Sequence, residues 1–155
     1  MFRLSYVIAL AFLSLGVSSP AQNDSHVMVL PDQIVWGPAS PKLPPGAQIS
    51  VIYGDMTRPG ELYSFRAKLP DGYRVAPHTH PMDEHVTVLA GTMMLGFGEQ
   101  TNDAHMQALP AGSYVTLPRS MPHYNRMQGE TILQFHGVGP YDIDYVNPAD
   151  DPSRQ

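Results

Sequence analysis

Prolines and glycines punctuate this chain so densely that helices cannot be its main building block. The 155 residues hold 16 prolines and 13 glycines. A proline inside a helix removes a hydrogen bond and clashes with the preceding turn, and a glycine adds an entropic cost. No window of eleven or more residues keeps apolar side chains at helical spacing. Between the breaks lie short segments of β character. Leu62–Leu69 alternates cleanly, with Tyr63, Phe65, Ala67 and Leu69 on one face and Ser64, Arg66 and Lys68 on the other. Ile49–Tyr53, Glu84–Leu89, Thr92–Phe97, Ser113–Leu117 and Thr131–His136 read as further strands. Many short strands at near-even spacing predict an all-β sandwich or small barrel.

One stretch concentrates the chemistry. Gly72 to Gly91 places His78, His80 and Glu84 within seven residues. In extended backbone His78 and His80 share a face, and the even offset of Glu84 lets it return to that face after a turn. Two imidazoles and a carboxylate converging on one point form a ligand set for a divalent transition metal. Gly72 and Gly91 read as turns that end the strands on either side. The main alternative is a packed polar cluster without a metal.

The run resembles the first motif of the cupin superfamily: Gly72, five residues, His78-Thr-His80, three residues, Glu84, six residues, Gly91. The stretch Gly112-Ser-Tyr-Val-Thr-Leu-Pro118-Arg-Ser120-Met-Pro-His123 resembles the second. Ser120 stands where a glycine is usual there, and Met127 where an asparagine is usual. The resemblance covers about residues 45 to 140. It implies a double-stranded β-helix, the jelly-roll barrel. It also implies His123 as a fourth ligand, completing a site for one divalent transition metal, with iron, manganese, zinc and nickel all open.

The N-terminus reads as a secretory signal over residues 1–21. Arg3 gives a positive start, Tyr6 to Val17 is apolar, and Ser19-Pro20-Ala21 offers a small-residue cleavage site. The apolar run is short for a membrane span, so export without a stable membrane anchor is expected. Residues 22–45 form a proline-rich arm, 46–147 the expected barrel, and 148–155 a polar tail expected to be loose. Arg3 is the one charge in residues 1–21, so its loss makes the net charge of −5 more negative by one. An acidic chain with nine Lys and Arg has no basic patch for nucleic acid. The chain has no cysteine, which excludes disulfides and a lipid-bearing cysteine. The apolar arm residues Val27, Val29, Leu30, Ile34, Val35 and Trp36 are expected to cover a sheet edge of their own or a neighbouring subunit, in a homodimer.

Candidate pocket residues are less constrained. On Thr131–His136, Gln134 and His136 share one face and Leu133 and Phe135 the other, so either pair could line the cavity. If Gln134 and His136 do, they are candidates to contact substrate, as is Tyr73 beside the first motif. Tyr53 and Tyr124 are weaker candidates. His85 points away from the metal set by parity. The resemblance implies a dioxygenase-type oxidoreductase acting on a small organic molecule. Two alternatives stand beside it: a metal-dependent lyase or isomerase, and a non-catalytic small-molecule-binding cupin. Val86 stands where cupin lyases that cleave dimethylsulfoniopropionate usually carry a tyrosine.

Overall fold

The computed structural model describes residues 26–155; the predicted signal segment lies outside them. Nine strands follow one another: β1 Gly37–Pro38, β2 Gln48–Tyr53, β3 Leu62–Leu69, β4 Arg74–Thr79, β5 Glu84–Phe97, β6 Gln107–Pro110, β7 Tyr114–Leu117, β8 His123–Val138 and β9 Asp144–Tyr145. Short 3₁₀ turns supply the remaining regular structure among the described residues. No helix among them is long and apolar enough to cross a membrane.

The two long strands, β5 and β8, make the barrel. The first part of β5 pairs with β7 and with the second half of β8, which also pairs with β3. The second part of β5 pairs with β6 and with the first half of β8, which also pairs with β4. Each long strand therefore belongs to two walls and bends between them. The register between β5 and β8 shifts twice at this bend, with the extra residue in β5 between Val88 and Ala90 and the extra residues in β8 between Ile132 and Gln128. Such bulges bend a strand and turn it from one wall to the next. Gly91 lies at this bend with φ of 71°. It does not end a strand, as the spacing predicted, but forms the corner of one continuous strand. A Cβ there would strike Thr131 Oγ1 and the Glu130 carbonyl.

The alternation read in Leu62–Leu69 sets the core. Tyr63, Phe65, Ala67 and Leu69 are buried and meet Val86, Val88, Leu133 and Met127 from the facing strands. Met127, in the place of the usual asparagine, is therefore core. Met93 of β5 is buried among these core residues.

The arm covers an edge of its own chain. β1 pairs with β2 through Gly37↔Ile49 and Pro38↔Gln48. Trp36 lies under the Lys68 ammonium, 4.9 Å from the ring centroid, on the outside of the wall. Farther along, Lys42 Nζ donates to Asp142 at 2.9 Å and to the Ile143 carbonyl at 3.1 Å. Tyr73 donates its hydroxyl to the Pro44 carbonyl at 2.7 Å, and Tyr145 donates to the Lys42 carbonyl at 2.8 Å. The arm is thus stitched across one end of the barrel. The tail is not loose: Asn147 and Asp151 cap two 3₁₀ turns, Pro148–Asp150 and Pro152–Arg154, and Asp151 is buried.

Candidate metal centre

Strand ends deliver the site. His78 closes β4 one residue before its end, His80 follows that end, Glu84 opens β5 and His123 opens β8. His78 and His123 are register partners. The loops carrying them are tied together: Ser120 donates its backbone N–H to the His80 carbonyl at 3.0 Å, and Arg119 donates its own to Asp83 Oδ1 at 2.8 Å. Ser120 has φ of 60°, the one non-glycine residue in the left-handed region among those described. A glycine is usual there because that conformation crowds a Cβ; serine keeps the turn at a steric cost.

All four side chains are buried, none more than 5% exposed. One ring nitrogen from each of His78, His80 and His123 lies within 4.8 Å of the others. The Glu84 carboxylate lies outside that trio but beside two of its rings, with Oε1 3.5 Å from His80 Nε2 and Oε2 4.0 Å from His123 Nε2. The other nitrogen of each ring is held by a backbone carbonyl. His78 Nδ1 meets Ala76 O at 2.7 Å, His80 Nδ1 meets Asp142 O at 2.6 Å and His123 Nδ1 meets Met121 O at 3.0 Å. A carbonyl can only accept, so each Nδ1 carries the proton and each Nε2 presents a bare lone pair. This is the second-layer arrangement that orients metal-ligating histidines.

The electrostatics agree. Burial pushes all three imidazoles below the ordinary histidine value, His78 furthest because His123 and His80 also crowd it, so they are neutral. Burial pushes the Glu84 carboxyl up to about 7, against the opposing pull of His123 and of the Tyr141 hydroxyl. Glu84 Oε1 is buried and accepts no hydrogen bond from the described residues. A buried carboxylate oxygen without a donor is costly. A divalent cation among three neutral imidazoles resolves that cost, so the residues present fit the metal that the motif implies.

The carboxylate and two of the imidazoles, His78 and His80, open onto a cavity of about 40 Å³. Its walls are apolar, with Phe65 and Phe135 stacked at 4.7 Å between centroids. Tyr73 belongs to the wall, but its hydroxyl is engaged by Pro44. Of the two faces of β8 that the sequence left open, the one with Gln134 and His136 does not line the cavity, so neither is a candidate to contact substrate there. Leu133 and Phe135 point inward, Gln134 accepts from Arg66 Nε at 3.0 Å on the outer face, and His136 stacks on His85 outside the barrel. Hydrophobic burial decided the parity of β8, since the reverse would have exposed Leu133 and Phe135. Tyr53 is half exposed, and the buried Tyr124 bonds to Asn102. His26 and His105 are exposed.

Sequence reasoning missed two residues. Tyr141 stacks on His80 with centroids 5.2 Å apart, and its hydroxyl is pushed well above the usual tyrosine value by burial and then by the Glu84 charge. It sits in the loop after β8, where no periodicity marks it. Asn125 lines the cavity two positions after His123. Parity with His123 was its available signal.

A family profile described as "Domain of unknown function (DUF4437)" matches residues 28–154. Germin-like protein 3-1 of Oryza sativa subsp. japonica is 35% identical over 60 residues, 38% of this chain. That match spans 27% of the rice protein's own length. The polyketide cyclase RemF from Streptomyces resistomycificus superposes with a TM-score of 0.66 at 15% identity, covering 84% of this chain and 92% of that one. An acetylacetone dioxygenase from Acinetobacter johnsonii superposes with a TM-score of 0.62 at 15% identity, covering 86% and 85%. At such identities these structures show the fold: the jelly-roll barrel of the cupins.

Proposed function

Because this chain belongs to the DUF4437 family and to the cupin superfamily, we propose that it is a metal-dependent enzyme of the dioxygenase type acting on a small organic molecule. The observation that carries this is the buried trio of bare imidazole nitrogens around an unpartnered Glu84 oxygen, opening onto an apolar cavity. His78, His80, Glu84 and His123 would hold one divalent transition ion. Bound there, such an ion would supply an electrophilic centre to a substrate in the cavity. The chain's own residues do the rest. The carbonyls of Ala76, Asp142 and Met121 fix the imidazoles, and the aromatic walls exclude water and orient a small uncharged substrate. The described residues offer no cysteine nucleophile, so covalent catalysis through a thiol is excluded.

Support for the oxidative class is the acetylacetone dioxygenase among the similar structures, and acetylacetone is accordingly the first substrate to try. Protein stripped and reloaded separately with iron(II), manganese(II), zinc(II) and nickel(II) is assayed for oxygen uptake with acetylacetone and a panel of small ketones and enols. Uptake dependent on metal and substrate supports the reading. Substrate conversion without oxygen consumption would move the protein to the lyase or isomerase class. Ligand binding without conversion of any compound would leave a binding cupin.

Two further properties belong to the proposal. The apolar run from Tyr6 to Val17 supports export, with Gln22 as the mature N-terminus; intact-mass measurement of the protein from its native host tests it. The exposed arm residues Val27, Met28, Leu30 and Val35 support a homodimer. Sedimentation at micromolar concentration showing only monomer would remove that part.

A further inference from the structure

The lining of the inner cavity is apolar except for the candidate metal ligands, wall tyrosines and one neutral amide, Asn125. This amide is out of place on packing grounds. Its Oδ1 is buried and accepts no hydrogen bond from the described residues. An amide oxygen removed from water with no donor costs stability that an apolar residue of the same size would not. It follows His123 at even offset on β8, which puts it on the inward face of that strand, and its side chain lines the cavity onto which His78, His80 and Glu84 open. Asn125 also borders a second, outer cavity of about 380 Å³, beside Arg74 and Tyr145, and Val75 is shared between the two in the same way. Asn125 therefore stands where the outer cavity meets the inner one.

We propose that Asn125 is a substrate-binding residue in the cavity shared with the metal centre, and that the substrate is a small uncharged molecule with a metal-binding oxygen group at one end and a hydrogen-bond donor, such as a hydroxyl, at the other. This rests on the metal-dependent reading above. The absence of any Lys or Arg from the inner lining supplies the second half of the argument. A substrate carrying a distal carboxylate or phosphate would bury that charge without a partner, at a penalty far above the gain from one amide. A distal hydroxyl instead satisfies the Asn125 oxygen and is itself satisfied. Size follows too. The inner cavity holds about three waters, so a larger substrate must displace Leu43 of the arm, which forms part of the wall.

The test uses two inhibitors with one chelating head. 3-Hydroxypropanohydroxamate and butanohydroxamate differ only by a hydroxyl in place of a methyl, and succinic monohydroxamate adds a distal carboxylate. Each is titrated by calorimetry into the metal-loaded protein and into Asn125→Leu and Asn125→Ala, after metal content is measured. The expected result is that the wild type binds the hydroxyl compound about five- to tenfold more tightly than the methyl compound, the worth of one buried hydrogen bond. The carboxylate compound binds most weakly. Both variants keep their metal and lose or reverse the hydroxyl preference. Without ligand, Asn125→Leu should melt at a higher temperature than wild type, because an unpartnered buried oxygen has been replaced. A structural asparagine would give the opposite shift.

Equal affinity for the hydroxyl and methyl compounds, or a preference that survives in both variants, overturns the proposal. Tight binding of the carboxylate compound overturns the claim of an uncharged substrate. A protein that takes up no metal, and hence binds none of the hydroxamates, defeats the metal-dependent reading instead, and the metal measurement separates the two failures.

Discussion

Metal uptake at pH 6 should be coupled to the loss of about one proton, and that proton should come from Glu84. A liganding carboxyl must be ionised, and a liganding imidazole must be neutral. In the metal-free protein burial holds the Glu84 carboxyl at about 7. Roughly nine in ten carboxyls are therefore protonated at pH 6 and about one in ten at pH 8. The imidazoles start neutral, because burial holds His78, His80 and His123 below their ordinary value of 6.5. They contribute little. Metal binding should release about 0.9 proton per ion at pH 6 and about 0.1 at pH 8. Apparent affinity should rise about tenfold per pH unit below 7 and level off above it. Calorimetric titration with zinc in two buffers of different ionisation enthalpy reads the proton count directly. Glu84→Gln should remove the released proton while weakening binding. Release of two or three protons at pH 6 would mean the imidazoles are charged, and release of none would mean Glu84 is ionised or not a ligand. Either refutes the reasoning. The same shift has a stability consequence of definite sign. A raised carboxyl value in the folded state means that Glu84 favours the metal-free fold at low pH, and that this contribution is lost as pH rises from about 4.5 through 7. The depressed imidazoles oppose it, charging as pH falls below 6.5 in the unfolded chain first.

Three further outcomes follow from particular contacts. Gly91→Ala should cost about 2–3 kcal/mol, because its Cβ meets Thr131 Oγ1 and the Glu130 carbonyl at the corner of β5; a melting curve within a degree of wild type would contradict the bulge. Tyr73→Phe should cost about 1 kcal/mol through loss of the hydroxyl on Pro44, and limited proteolysis should then cut faster around Leu43. His136→Ala and Gln134→Ala should leave metal content and ligand affinity unchanged, since both side chains lie outside the barrel; a loss of either would put β8 in the opposite parity.

The class of fold and the candidate metal residues were legible in the sequence. Proline and glycine density ruled out helices as the main building block, alternation in Leu62–Leu69 named the core face, and the His78, His80 and Glu84 spacing pointed to a metal centre, because these are local properties of backbone period and residue chemistry. The second motif added His123 through resemblance. Tertiary structure decided what local pattern leaves degenerate. Parity in β8 could be read either way until two walls closed on Leu133 and Phe135, which sent Gln134 and His136 outside. Gly91 looked like a strand end, but pairing to β7 on one side and β6 on the other made it a corner within one strand. The tail looked polar and loose, yet the side chains of Asn147 and Asp151 satisfy its turns. Tyr141 and Asn125 reach the cavity only because the loop after β8 folds back over the centre and β8 runs along it. Long-range pairing brought those residues to the cavity, and no local period encodes it.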